Sequence, residues 1–109
     1  MNWIIRYLPE AEKDLQNLDG SSRILAIKAI KKVQDNPLPQ NEGGRGKPLG
    51  HKKNSDLTGF LKIKLKNIGI RVVYTLVRTD HVMLIVVIGI RSDDEVYELA
   101  AHRKTRHDL

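Results

Sequence analysis

The sequence contains no cysteine. Disulfides, thiolate metal sites and a cysteine nucleophile are therefore excluded. Aromatic residues are also scarce, with one Phe, one Trp and three Tyr in 109 residues. A protein that holds single-stranded nucleic acid by stacking bases would be expected to carry more such platforms. The histidines, His51, His81, His102 and His107, never stand three or four residues apart. That spacing would place two ligands on one helix face, so a zinc site is not expected. Long apolar runs are missing too. The most apolar stretch, Val82 to Ile90, falls far short of the roughly 20 residues that a membrane-spanning helix needs. Met1 to Arg6 lacks the charged lead and apolar stretch of a signal peptide. The expectation is a soluble, cytoplasmic protein with no membrane partner.

Acidic residues are the minority, 13 against 19 Lys and Arg, for a net charge of +6. An excess of this sign favours an anionic partner. The length and the ordinary share of hydrophobic residues, 40% of 109, fit a single domain over residues 1–109 with one modest core.

The pattern along the chain predicts an α+β fold. Trp3 to Leu8 alternates as a strand. Pro9 suits the first turn of a helix, and Ala11, Leu15 and Leu18 follow at helical spacing. Asp19-Gly20-Ser21-Ser22 breaks that helix and offers a serine N-cap for a second one from about Ser22 to Asp35. Ile24, Ile27, Ile30 and Val33, with Leu25 beside them, would be its apolar face, and Asn36-Pro37 would end it. Residues 37–59 are polar and rich in Gly, Pro and Lys, the composition of a long flexible loop. Gly43-Gly44-Arg45-Gly46-Lys47 is not a nucleotide-binding loop, because Asn41 replaces the first glycine and Pro48 the Ser or Thr.

From Phe60 the period becomes two. Leu61, Ile63 and Leu65 alternate with Lys62, Lys64 and Lys66, Asn67-Ile68-Gly69 turns, and Ile70 to Val77 forms the next strand. After Thr79-Asp80, His81 to Arg91 is apolar on both faces, as a covered strand would be. Asp93-Asp94-Glu95 suits the start of a short last helix with Val96, Leu99 and Ala100 packed down. The basic tail, residues 103–109, is expected to fray. The predicted architecture is an N-terminal strand and helical hairpin, with the helices over one face of an antiparallel sheet of about four strands, then the short helix.

Lys62 and Lys64 would point the same way, about 6 to 7 Å apart along one strand. Arg71 lies on the neighbouring strand, and Arg91 closes the covered one. Such a patch would hold a phosphate. It is equally what the wet face of an antiparallel sheet, with lysines guarding an edge, would look like.

Family likeness favours the first reading. The stretch Leu61-Lys62-Ile63-Lys64-Leu65-Lys66-Asn67-Ile68-Gly69-Ile70-Arg71-Val72-Val73-Tyr74 resembles the core of RelE toxins, ribosome-dependent mRNA endonucleases. The likeness continues through Ile88-Gly89-Ile90-Arg91 and Glu95-Val96-Tyr97, and Lys47-Pro48-Leu49 resembles the wider RelE/ParE superfamily. The chain departs from many relatives at Leu61 and Ile70, where they have tyrosine, and at Ile90, where they are often basic.

The resemblance implies cleavage by the RNA 2′-hydroxyl without a metal. That reaction needs a base, cations for the crowded phosphorane, and an acid for the 5′-oxygen. By position, Lys62 and Lys64 would take the 2′-hydroxyl proton or hold the developing charge. Arg71 would clamp the phosphate, Arg91 would stabilise the leaving side, and Tyr97 would orient or stack on a base or assist proton transfer. Crowding by Lys62 and Lys66 makes Lys64 the preferred base; Lys66 is solvated surface. The resemblance also implies a type II system: a cognate antitoxin with an acidic helical segment, the ribosome and mRNA as targets, and operator DNA reached through the antitoxin complex. Two rivals remain at this point, a ParE-like toxin that poisons DNA gyrase and a basic RNA-binding module without catalysis.

Overall fold

The computed structural model describes residues 3–52 and 55–109; Met1 and Asn2 of the expected leader-free start, and Lys53 and Asn54 of the expected loop, lie outside it. Strand β1 (Ile4–Tyr7) leads into helices α1 (Pro9–Gln16) and α2 (Gly20–Gln34). A 3-10 turn (Gln40–Glu42), β2 (Lys47–Lys52), β3 (Ser55–Leu65), β4 (Ile70–Val77), β5 (Val82–Gly89) and α3 (Asp93–Arg106) follow.

The fold is α+β, as expected, but the sheet has five strands in the order β1-β5-β4-β3-β2. It is mixed rather than antiparallel, because β1 runs parallel to β5. The fifth strand is β2, inside the segment read from sequence as a loop. Only Leu49 of β2 is fully buried, so no alternation betrayed it, and Pro48 is tolerated there because β2 lies at the sheet edge. The same segment carries the start of β3, five residues ahead of Phe60.

Two of its glycines serve close packing. A Cβ on Gly44 would sit 2.0 Å from the Leu38 carbonyl oxygen, and one on Gly46 would sit 2.3 Å from the Tyr74 hydroxyl. That hydroxyl donates to the Pro37 carbonyl at 2.9 Å, and burial pushes the phenol well above its ordinary range.

The hairpin begins as the sequence suggests, with Pro9 in the first turn of α1. Helix α2 is capped by Asp19, whose side chain accepts from the Ser22 N–H at 2.8 Å, rather than by a serine. Its buried stripe is Ala26, Ile30 and Val33. Ile24 and Leu25, expected in the core, are exposed. Ala26, Ile30 and Val33 stand at i, i+4 and i+7 on one helix face, and Ile24 and Leu25 fall beside that stripe.

Helices cover both faces of the sheet, not one. Helix α2 packs on β3 and α1 on β5, over the face that carries Leu61, Val72, Tyr74 and Ile85, all buried. Burying side chains of this size contributes about 1.5 to 3 kcal/mol each. Helix α3 packs on β3, β4 and β5, over the opposite face, where Lys64, Arg71 and Gly89 are register neighbours.

The last helix is longer than expected and does not fray at Arg103. Strand β1 covers β5 only as far as Ile85, so the backbone beyond it has an open edge. Asp14 of α1 and Arg103 of α3 fill that gap. The Asp14 carboxylate accepts from the Ile88 N–H at 3.1 Å and from Arg103 at 2.6 Å, while Arg103 donates to the Val86 carbonyl at 2.8 Å. A carboxylate and a guanidinium thus do for β5 what another strand would have done. Beyond them, the His107 ring lies 2.9 and 3.0 Å from the two Glu10 carboxylate oxygens. This contact first, and Arg106 after it, holds the Glu10 carboxyl down at about 2.

The Asp14–Arg103 side chains are only 19% and 12% exposed. Asp14→Ala is predicted to destabilise the fold by about 3 kcal/mol, since it leaves a guanidinium and a strand N–H unpaired. Glu42→Ala, which removes the exposed partner of Arg78, is predicted to leave the denaturation midpoint nearly unchanged. Urea denaturation of the two variants against the parent reads the difference.

Candidate functional site

The pleat of β3 turns Lys62 and Lys64 towards α3, and the register with β4 sets Arg71 directly across from Lys64. Next in that row is Gly89. A Cβ there would lie 3.8 Å from Cγ of Arg91 and 3.9 Å from a Val96 methyl. The Arg91 stem and α3 thus pack at ordinary contact distance over this end of the row, beside Arg71. Arg91 follows the strand rather than ending it and is exposed. Four of the residues singled out from sequence, Lys62, Lys64, Arg71 and Arg91, therefore gather on one side of the sheet.

Helix α3 starts where it does because Ser92 caps it, accepting from the Glu95 N–H at 3.3 Å and donating to the Glu95 carboxylate at 3.1 Å. The first turn places Asp93 over the cations. Its carboxylate accepts from Nε of Arg71 and lies 3.8 Å from Nζ of Lys64. The Arg71 hydrogen bond holds the Asp93 carboxyl below its ordinary range, with the charges of Arg71, Lys64 and Lys62 adding to it. The other side of Arg71 is occupied as well: Nη1 donates to the carbonyls of Gly69, at 3.0 Å, and of Arg91. Arg71 is thus a cross-link between a turn, the end of β5 and the start of α3.

One turn further on, Tyr97 accepts a hydrogen bond from Nζ of Lys62 at 3.2 Å. The ammonium groups of Lys52 and Lys62 lie 5.8 and 5.9 Å from its ring centre, within cation–π range. The residue is 9% exposed. Of the roles expected for Tyr97, stacking on a base has little surface available in this arrangement, whereas proton exchange with Lys62 has its geometry in place.

Sequence reasoning missed three members of the cluster. Asp93 was legible only as a helix-start acid. Lys47, which faces Lys62 across the β2–β3 ladder, and Lys52 lay in the segment read as a loop. The crowding of Lys64 by like charges is offset by Asp93, a partner four residues before the helix tyrosine that no strand pattern could have revealed. Among the described residues, no three of His, Asp and Glu come together to hold a metal ion, and no helix is long and apolar enough to cross a membrane.

A family model described as the ParE toxin of type II toxin–antitoxin system, parDE, matches residues 5–95. The chain belongs to this family of toxins, within the RelE/ParE superfamily. A putative RelE-like toxin protein of Escherichia coli is 29% identical over 103 residues, covering 94% of this chain and 98% of the relative. The fold of the toxin is shared with an arginine-to-alanine double mutant of E. coli RelE in the free state. That match has a TM-score of 0.72 at 23% identity, over 94% of this chain and 98% of the other. The intact E. coli RelBE toxin–antitoxin complex matches with a TM-score of 0.63 at 22% identity, over 83% of this chain and 98% of the other.

For the Lys62–Tyr97 contact the prediction is a split between two variants. Tyr97→Phe keeps the ring and both cations and is predicted to lower stability by no more than about 1.5 kcal/mol. Tyr97→Ala removes a buried ring and is predicted to cost about 3 to 5 kcal/mol. Denaturant midpoints for the two proteins decide it.

Proposed function

We propose that this toxin is a ribosome-dependent mRNA endonuclease that cuts by attack of the RNA 2′-hydroxyl, without a metal or cofactor. The observation that carries the reading is the convergence of Lys62, Lys64, Arg71 and Arg91 on one side of the sheet, with the Tyr97 hydroxyl 3.2 Å from Lys62. In the reaction the 2′-oxygen forms a bond to phosphorus and the bond to the 5′-oxygen breaks. The 2′-hydroxyl proton must leave and the 5′-oxygen must gain one, so the products are a 2′,3′-cyclic phosphate and a 5′-hydroxyl. Lys62 and Tyr97 are the better couple for proton transfer, because Lys62 bonds a neutral hydroxyl while Lys64 faces the Asp93 carboxylate. Lys64, Arg71 and the exposed Arg91 would then hold the charge that builds on the phosphorane. The scarcity of stacking residues suits an RNA already held by the ribosome.

The partner that follows from this reading is a cognate antitoxin. The RelBE structure pairs the E. coli toxin with its antitoxin. Here an acidic helical segment would complement the cationic side, and the joint complex would be the species that meets operator DNA. A cytoplasmic location goes with these partners.

The second reading is a gyrase poison. It draws on the description of the matching family model as a ParE toxin, and on a likeness to RelE structures that extends to the fold alone.

Synthesis of the chain in a translating extract, with mRNA ends mapped by primer extension, separates the two. The wild-type protein is predicted to cut within translated codons. Lys62→Ala and Arg91→Ala, neither of which unties the Arg71 cross-link, are predicted to slow cutting by about 10² to 10³-fold. Intact mRNA beside folded wild-type protein, together with blocked DNA supercoiling by gyrase, would overturn the nuclease reading in favour of the second.

A further inference from the structure

We propose that Asp93 is an internal counter-anion seated where a phosphate would bind, and that an incoming phosphate group takes its place on Arg71 and Lys64. The inference rests on reading this side of the sheet as a phosphate site.

Three observations lead to it. The first is the pattern of bonds on Arg71. Its Nε donates to Asp93 and its Nη1 to two carbonyls, so only Nη2 has no partner among the described residues. Arginine recognises an oxyanion best through two N–H groups on one edge, and the edge formed by Nε and Nη2 is half occupied by the carboxylate. The second is spacing: one carboxylate bridges a guanidinium and the Lys64 ammonium, as a phosphate carrying more charge and more acceptor oxygens could do. The third is the order of exposure. The Asp93 side chain is 40% exposed, against 19% for Arg71 and 31% for Lys64, so the carboxylate is the outermost of the three and covers the cations from the solvent side. Asp93 is the first residue of α3, where its side chain can swing outward without breaking a helix turn. Arg71 keeps its two carbonyl acceptors when that happens, so exchange of one anion for another leaves the cross-link standing.

The consequence is a site that resists loose anions and opens to a well-placed one. Without Asp93, two cations facing each other across a strand pair would repel and would collect any anion in solution. With it, a phosphate must compete, and only one delivered in register has the advantage.

The test is a titration of the full chain with inorganic phosphate at fixed ionic strength, read at the Arg71 Nε–H resonance. Asp93→Asn is predicted to bind phosphate about tenfold tighter than the parent, from the loss of one nearby negative charge. Asp94→Asn, which removes the same charge one residue later, is predicted to change affinity by no more than about twofold. Equal or weaker binding by Asp93→Asn would overturn the proposal and make Asp93 a residue that positions Arg71. Should Asp93→Asn fail to fold, the parent itself answers: at saturating phosphate the Asp93 carboxyl is predicted to titrate nearer the ordinary carboxylate range, and an unchanged titration would refute displacement. No ribosome enters this measurement. A chain that binds phosphate as described yet leaves mRNA intact would sink the nuclease reading alone.

Discussion

The cationic side of the sheet depends on α3 being held down, by its buried Val96, Tyr97 and Ala100 and, at an open strand edge, by one partly buried ion pair. Strand β1 is four residues long and stops beside Ile85, which leaves the far half of β5 with unpaired backbone groups. Asp14 and Arg103 meet there, one from each side of the sheet, and each also bonds the strand itself. Exposed ion pairs contribute little to stability. This one substitutes for missing ladder hydrogen bonds, so losing either member strands both a charge and a backbone group. Arg103 thus anchors the far half of the helix that carries Asp93 and Tyr97, and the bonds of Arg106 and His107 to Glu10 fasten its end.

The site follows from the register once that helix is fixed. Strand pleat and the β3–β4 pairing put Lys64 against Arg71, an arrangement that electrostatics alone would disfavour. Helix α3 relieves it by bringing its own anion in its first turn and a neutral hydroxyl in its second. Gly89 lies next in this row, with the Arg91 stem and Val96 at ordinary contact distance from it. The family to which the chain belongs is thus represented by a version of the fold in which the cations are balanced from within the chain.

Much of this was legible in the sequence, and the remainder was hidden for identifiable reasons. The alternation of Leu61, Ile63 and Leu65 with Lys62, Lys64 and Lys66 sets the direction of the lysines, and Pro9 marks the first helix turn. Strand β2 escaped because an edge strand with a single fully buried residue has no period to detect. The parallel pairing of β1 with β5 escaped because local pattern says nothing about which distant strand will be met. Ile24 and Leu25 read as core by hydrophobicity alone, yet they fall beside the stripe of Ala26, Ile30 and Val33 that meets the sheet. The basic residues of the tail read as solvated, whereas Arg103 finds a carboxylate 89 residues away in the chain. In the site, the cations were visible as a pattern, and Asp93 was not, because its role comes from a contact between a helix start and a strand that share no sequence neighbourhood.

The central claim is that this cationic side of the sheet drives attack by the RNA's own 2′-hydroxyl. The most direct measurement places a single 2′-deoxynucleotide immediately 5′ of the scissile phosphate in an otherwise unmodified mRNA, and follows cutting in the translating extract. Cutting at that position is predicted to vanish while other positions in the same message are still cut. Continued cutting at the deoxy position would mean that another nucleophile attacks the phosphate, and the roles given to Lys62 and Tyr97 would be wrong.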